Sequence, residues 1–501
     1  MQNTTQLPLS LQGDQERERL SKMNEIKSLG IDPYGERFNR THNTKSIHEE
    51  FVYLEIGQES ETKVSTAGRI TSMRSHGKTV FLNISDVYES IQIYIKKDIL
   101  GEDTFAVVKN YDLGDFIGVS GRMFKTKTGE LTIAAESLTF LAKSLHPMPE
   151  KFHGLKDVEI RYRQRYIDLI ADHNSKKTFV NRSLMIAAIR DYLNSNGFFE
   201  VETPCLNVVA GGAAAKPFIT HHNALNIDLY MRIATELHLK RCIVGGLEKV
   251  YELGRIFRNE GISTKHNPEF TTIEIYEAYS DLRGMMELAE NIISASAKRL
   301  GLGDTITYQG KEINIKPPFT RLTMNEALLK YGDVTLIELR DEAKAKTIAN
   351  KLNIPYSENI GHFIEKVFET IVEPNLLQPT FITDYPIEIS PLAKKKKDDP
   401  LLTDRFELFI NCFEVANAFS EINDPLDQRE RFEYQLTLKT LGDEEAHPLD
   451  EDFLCALEYG MPPTGGIGIG IDRLAMLLTD SASIRDVILF PTMKQLQKND
   501  K

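Results

Sequence analysis

The spacing of hydrophobic residues changes along this chain, and each change marks a different kind of element. Leu20, Met23, Ile26 and Leu29 recur at intervals of three before Gly30, which predicts a short amphipathic helix leaning on a neighbour. From residue 64 to about 141 the pattern becomes that of short strands, at 64–72, 79–85, 91–95, 116–124 and 131–140. His76-Gly77-Lys78 and Thr126-Lys127-Thr128-Gly129-Glu130 read as hairpin loops, and a helical stretch covers 97–109. Helical spacing returns after Ser175, a candidate cap, with Phe179, Leu184, Ile186, Ile189 and Leu193 on one face and Gly197 at the end. A strand-like run at 198–203 stops at Pro204.

Three strands, a helix and two more strands is the order of an OB-fold barrel, a scaffold on which exposed aromatics stack single-stranded bases. Beyond His146-Pro147-Met148-Pro149, strands and helices alternate irregularly, with an antiparallel look at 250–258 and 269–276. The expected architecture is α+β. A helical arm occupies 1–62, the barrel 63–145 and a linker 146–178. The remainder, 179–501, is a large domain with an antiparallel sheet flanked by helices and a helical insertion at about 321–377.

Composition narrows the class. A chain of 501 residues exceeds one core, and 41% hydrophobic with 27% charged residues is ordinary for a soluble enzyme. No apolar run reaches the ~18–20 residues that span a bilayer, and the N-terminus lacks the apolar region of a secretory signal. Cys205, Cys242, Cys412 and Cys455 are widely spaced without a Cys-x-x-Cys pair. That argues against structural zinc and a disulfide framework and fits a cytoplasmic location. A net charge of −13 disfavours a polyanionic partner, yet residues 63–143 carry roughly +2, so nucleic-acid contact would depend on local patches. The run Lys394-Lys395-Lys396-Lys397, flanked by Asp398-Asp399, reads as a solvated loop.

Candidate chemistry concentrates in Phe257-Arg258-Asn259-Glu260, followed by His266, Glu269-Phe270 and Glu274. An arginine fork can grip a carboxylate and an α-phosphate together. A strand would place Arg258 and Glu260 on one face, aimed into one pocket. A surface hairpin holding an Arg258–Glu260 ion pair is the competing reading. Glu407 and Glu414 lie among Phe406, Leu408, Phe409, Phe413 and Val415, where unpaired carboxylates are costly, so neutralisation by a metal or ligand is expected.

Three separated segments resemble the motifs of class II aminoacyl-tRNA synthetases in order and spacing. They are the helix and strand ending at Pro204, Phe257-Arg258-Asn259-Glu260 with its loop, and Gly466-Ile467-Gly468-Ile469-Gly470-Ile471-Asp472-Arg473. An N-terminal OB barrel marks the aspartate–asparagine–lysine subgroup. Within it, Gly211-Gly212-Ala213-Ala214-Ala215-Lys216-Pro217-Phe218, His266-Asn267-Pro268-Glu269-Phe270 and Asn417-Ala418-Phe419-Ser420-Glu421 are similar to the lysyl-tRNA synthetases. The resemblance covers nearly the whole chain, and with no strongly basic extension before the barrel it looks like the bacterial type.

That resemblance implies a ligase that activates L-lysine with ATP, releases pyrophosphate and transfers lysine to the 3′ end of tRNA(Lys). It implies Arg258 and Arg473 as catalytic residues, with Arg258 on the carboxylate and α-phosphate and Arg473 over the adenine and γ-phosphate. Glu260 would accept from the adenine amino group, Phe270 stack on the base, and His266 lie near the terminal phosphates. Glu407, itself in the ATP site, and Glu414 would hold Mg²⁺, up to three ions bound with ATP. For lysine, Glu274, Tyr276 and Glu421 would receive the ε-ammonium, a negative lining that disfavours aspartate. Glu236 and the Gly212 backbone would hold the α-amino group, Asn417 and Arg258 the carboxylate, and Phe419 the methylene stem. In the barrel, Phe81 would stack on the central anticodon base, with Gln92 and Arg69 beside it and Glu136 a weaker candidate; a Phe81 that fills the barrel is the rival reading. The motif around Pro204 implies a homodimer. Competing functions are a paralogue that lysylates a protein, an aspartate or asparagine enzyme, and a non-catalytic RNA-binding relative.

Overall fold

The computed structural model describes residues 9–148, 157–357, 359–440 and 448–495. Contacts divide the chain into two compact units, Met1–Lys156 and Asp157–Lys501. In the first, β1 (Glu59–His76), β2 (Thr79–Ser85), β3 (Ser90–Lys96), β4 (Phe116–Lys125) and β5 (Leu131–Ala142) close a barrel in the order β1-β2-β3-β5-β4. Alternation drives the closure: Val80, Leu82 and Ile84 of β2 and Ile91, Ile93 and Ile95 of β3 are buried inside, while Phe81, Asn83, Gln92 and Tyr94 between them stay partly exposed. Phe81 therefore does not fill the barrel.

Helix α1 (Asp14–Ser28) buries Ile26, but Leu29 is 44% exposed. The other deeply buried residue is Arg19, which donates to the carbonyls of Ser144 and Leu113 at 3.0 and 3.1 Å. The apolar stripe is thus narrower than its spacing implied. Helix α2 (Lys97–Val108) links β3 to β4. Lys143 and Asp115 form a fully buried pair at 2.8 Å, with Asp112 also 2.6 Å from the ammonium. Replacing Lys143 by alanine leaves that carboxylate without its cation and is expected to destabilise this unit by about 3–5 kcal/mol, read as a lowered denaturant midpoint of its unfolding transition.

The second unit is built on an eight-stranded sheet. Its strands are β6 (Phe199–Glu200), β7 (Lys249–Phe257), β8 (Glu269–Ala278), β9 (Thr320–Thr323), β10 (Thr380–Pro386), β11 (Leu402–Ile410), β12 (Phe413–Ser420) and β13 (Thr464–Gly470). They lie in the order β9-β10-β11-β12-β13-β8-β7-β6, antiparallel except for the parallel pairs at the two edges. Ile273 and Ile275 of β8 and Ile467 and Ile469 of β13 turn to one face and pack with Met285, Ile292 and Ile293 of α5 (Leu282–Arg299). The opposite face is free to carry polar side chains.

Part of the stretch read as a linker is helical from Val158 onward and belongs to this second unit; residues 149–156 of it lie outside the described residues. Helix α3 (His173–Ser195) is capped by Asp172, whose side chain accepts from Asn174 N at 2.9 Å; Ser175 lies inside the first turn. Its buried face is Met185, Ala188, Ile189 and Leu193, with Leu184 37% exposed, a rotation of about one residue from the reading of the sequence. Between β9 and β10, the helices Met324–Gly332, Leu336–Arg340, Glu342–Leu352 and Ile360–Ile371 pack a core of their own around Leu328, Leu339, Phe363 and Val367. Among the described residues no helix is long and apolar enough to cross a membrane.

Candidate active site

Register assembles the site. Along the polar face of the sheet, Glu407, Asn417, Gly468 and Glu274 are successive cross-strand neighbours, and so are Arg405, Phe419, Gly466 and Tyr276 one row away. Side chains in such rows stand about 5 Å apart. Over the cleft the middle strand contributes glycine to this face, at 466, 468 and 470, so a trough runs along it with carboxylates on both banks. A cleft of about 460 Å³ opens over it. Every ATP- and lysine-site residue named from the sequence lines it except Glu421.

Strand β7 ends at Phe257, and Arg258, Asn259 and Glu260 lie beyond it, with Glu260 N donating to Arg258 O at 2.9 Å. The strand-alternation argument for aiming Arg258 and Glu260 together is therefore wrong, although both reach the cleft. No ion pair joins them. Arg258 lies over the Phe270 ring, 5.3 Å from its centroid, and its Nε has no hydrogen-bond partner among the described residues. A guanidinium not engaged by a protein carboxylate remains available to an anion.

At one end of the cleft Arg473, in the first turn of α6 (Ile471–Leu478), donates to Glu414 O at 2.7 Å and lies 3.2 Å from both Glu414 Oε2 and His266 Nε2. Desolvation, then the charges of Arg473 and Lys265, hold the His266 imidazole below its usual range. Glu407 accepts from Arg405 at 2.5 Å and from the Tyr385 hydroxyl at 3.0 Å. Both glutamates read from sequence as unpaired in apolar surroundings thus have arginine partners. Even so, burial, with the like charges of Glu414 and Glu365 adding to it against Arg405, raises Glu407 to about 7. Two neighbouring carboxylates, one of them buried, fit a divalent cation. Two carboxylates suffice where nucleotide oxygens complete the shell.

The other end is acidic. Glu274 is buried, its Oε1 accepting from Thr235 N at 3.0 Å and its Oε2 lying 3.4 Å from the Tyr276 hydroxyl. Burial, reinforced by the charge of Glu236, pushes it up to about 7. Gly212 sits at φ +93°, where a Cβ would meet Ala234 Cβ at 3.0 Å, so glycine brings the backbone close to this end. Asn417 accepts from Arg405 Nε at 3.1 Å through its Oδ1, which leaves the amide NH₂ as its remaining donor. Glu421 is 1% exposed and stands behind the cleft wall, against Gly466 and paired with Lys240. It is not a surface carboxylate.

A family model described as tRNA synthetases class II (D, K and N) matches residues 157–494, and one described as an OB-fold nucleic acid binding domain matches 64–141. The chain belongs to the class II tRNA synthetases. Similar proteins include a lysine–tRNA ligase of Bacillus cytotoxicus, 54% identical over 97% of this chain and 98% of the relative. Others of that name come from Moorella thermoacetica, 55% identical over 97% and 99%, and a Thermoanaerobacter species, 55% identical over 97% and 96%.

Reading the sequence missed several groups that hold this synthetase site in shape. Arg405 ties Glu407 to Asn417, Lys240 ties Glu236 to Glu421, and Arg182 holds Asp472, which also accepts from Thr271 N at 2.7 Å. In the barrel, Phe81 packs against Tyr94 with the rings tilted and 4.8 Å between centroids, and Tyr94 meets Phe124 edge-on at 6.0 Å, an outward aromatic row of which only Phe81 was singled out. Alternation along β3 and β4 was the signal for the other two. Gln92 accepts from Thr132 Oγ1 at 2.8 Å. Arg69 lies over Phe116 and donates to Gly114 O at 2.9 Å, a position that braces the barrel. Glu136 is exposed and pairs with Lys63 and Arg122. The Lys394–Lys397 loop is less solvated than expected: Lys394 donates to Asn423 and Lys396 pairs with Asp384.

Proposed function

We propose that this synthetase is a lysine–tRNA ligase whose activation site is the cleft over the glycine trough. The observation that carries the reading is the pairing of an arginine available to anions, Arg258, with a buried acidic end formed by Glu236, Glu274 and, behind it, Glu421. The lysine carboxylate attacks the α-phosphate of ATP, a P–O bond forms, and the bond to the β-phosphate oxygen breaks to release pyrophosphate. Two anions must meet for this. Arg258 offsets their repulsion at the reacting centre, Arg473 and His266 steady the leaving phosphates, and Phe270 and Glu260 hold the base. Mg²⁺ bound with the nucleotide would supply further positive charge, held by Glu407 and Glu414. The terminal ribose hydroxyl of tRNA(Lys) then attacks the lysyl carbonyl and AMP leaves, so no covalent enzyme intermediate is required.

Glu236 and Gly212 receive the α-ammonium, Asn417 assists the carboxylate, Phe419 packs on the stem, and Glu274, Tyr276 and Glu421 receive the ε-ammonium. Pyrophosphate exchange across all standard amino acids tests the assignment: activity with lysine is expected, and activity only with aspartate or asparagine would overturn it. A pH dependence follows. Glu274 must be ionised to hold an ammonium, and its carboxyl is raised to about 7. The lysine KM should therefore rise as pH falls through 7, approaching about tenfold per unit on the acid side. Glu274→Gln should abolish that slope, measured by exchange between pH 5.5 and 8.5.

The outward row Phe81, Tyr94 and Phe124, with Gln92, is the proposed anticodon platform. Phe81→Ala should raise the KM for tRNA by about 5- to 100-fold, the loss of one stacked base, and leave lysine-dependent exchange within twofold of wild type. Exposed Phe199, Leu206, Val208 and Ile219 support a homodimer through the region around Pro204, to be checked by sedimentation. A cytoplasmic location goes with this function.

A further inference from the structure

Lys240 has no place in the reaction described above, yet it is the most deeply buried lysine near the cleft. It lies on α4 (Glu236–Val244), one turn after Glu236, and is 0% exposed. Its Nζ is 2.5 Å from Glu236 Oε1 and pairs on its other side with Glu421 Oε2. Phe419 and Phe453 lie beneath it, with ring centroids 5.6 and 5.9 Å away. The ammonium therefore bridges two carboxylates that the lysine reading assigns to opposite ends of the substrate.

Charge explains why a resident cation belongs there. Glu236, Glu274 and Glu421 are all buried, and burial raises each: the charge of Glu236 adds to it at Glu274, the charges of Glu236 and Glu274 add to it at Glu421, and Lys240 opposes it at both Glu236 and Glu421. Tyr276 adds a hydroxyl that the same three carboxylates keep protonated after burial. Arg405 and Arg258 face the group from β11 and the end of β7, and Glu252 of β7 is taken up by Arg232. Three buried carboxylates without compensation would take up protons, and a protonated carboxyl no longer attracts an ammonium. With Arg405 paired to Glu407 and Arg258 left for the substrate carboxylate, Lys240 against the three carboxylates leaves a net charge of −2, which matches the α- and ε-ammonium groups of free lysine. Glu421 Oε1 has no hydrogen-bond partner among the described residues, so the bridge leaves an acceptor free.

We propose that Lys240 is a positioning residue for amino-acid recognition: its bridging ammonium keeps Glu236 and Glu421 ionised and in place to receive the two ammonium groups of the substrate. This rests on the lysine reading of the cleft. The residue does not touch the reacting atoms; it acts through the two glutamates.

The test uses the full-length enzyme with Lys240→Met and Lys240→Arg, assayed by pyrophosphate exchange from pH 6 to 9. Wild type should show one proton governing the lysine KM, that of Glu274. In K240M the KM for lysine should rise at least about tenfold at pH 7 and depend more steeply on pH, improving as pH rises, because Glu236 and Glu421 must now also lose protons. The KM for ATP should stay within twofold. K240R, which keeps the charge, should recover most of the lysine affinity and the wild-type slope.

A folded K240M with lysine KM and slope unchanged would overturn the proposal, as would equal losses for ATP and lysine, the pattern of a merely structural residue. If K240M does not fold, wild type decides by calorimetry in buffers of different ionisation enthalpy. Lysine binding at pH 7 should release no more than about one proton, and release of two or more would show Glu236 and Glu421 uncharged beside Lys240. If wild type lacks lysine-dependent exchange, the underlying reading has failed instead.

Discussion

Arg258→Ala should lower lysine-dependent pyrophosphate exchange by at least about 10³-fold, with the protein still folded. Removing one preorganised donor to a developing oxyanion costs 10²–10³ in similar chemistry, and Arg258 is proposed to serve two anions at once. Folding should survive because the side chain makes no ion pair or hydrogen bond among the described residues: it lies past the end of β7, its Nε is unpartnered, and its guanidinium rests over the Phe270 ring. A lysine substitution should rescue little, since a point charge cannot span a carboxylate and a phosphate as a planar fork does. Circular dichroism and thermal unfolding establish the fold. Exchange retained within tenfold would remove Arg258 from the chemistry.

Gly466→Ala should damage the lysine end as severely by a different route. A Cβ there would overlap Glu421 Oε1 and sit 2.5 Å from Tyr276 Cε1. Both neighbours are buried, at 1% and 3% exposure, so neither can move aside without disturbing the acidic end. Overpacking of this kind costs about 1–3 kcal/mol in stability, and displacement of Glu421 should raise the lysine KM by about 10- to 100-fold. Gly468→Ala is the control for position. Its Cβ would find nothing nearer than Glu274 Cγ at 3.8 Å, so the fold should tolerate it and any loss reflects filling of the trough. Equal lysine KM values for the two variants would show that the clash at 466 is not what matters.

Local pattern revealed much of this molecule because local pattern is what closes a barrel. Alternation placed β2 at 79–85 and the interior side chains Val80, Leu82 and Ile84 follow from it. The same logic failed at Arg258, where the chain leaves the strand before reaching either Arg258 or Glu260, a difference of hydrogen bonding that side-chain spacing does not record. Ser175 and Asp172 are both good caps, and the choice between them depends on Arg161, which binds Asp168 and Ser175 and so draws the preceding turn into place. Lys240 and Arg405 were invisible for a deeper reason. A lysine four residues after a glutamate on a helix looks like a solvated pair, and only the arrival of Glu421 from a distant strand makes it a buried bridge. Motif residues, by contrast, stood out because a reaction between two anions restricts which side chains can surround it.

The glycine strand β13 has a consequence for folding. It pairs with β8 on one side and β12 on the other, and these belong to two hairpins far apart in the chain. Each hairpin has local contacts and can form early, whereas pairing β13 with β8 closes the longest loop in the sheet, from Ala278 to Thr464, and carries the largest entropic cost. Arg258 and Phe270 belong to the first hairpin region, Glu407 and Glu414 to the second, and Arg473 follows directly after β13. Catalytic competence should therefore emerge only at the final step of assembly, so that partly folded chains are inactive and a nascent chain acquires activity only once its C-terminal strand has docked.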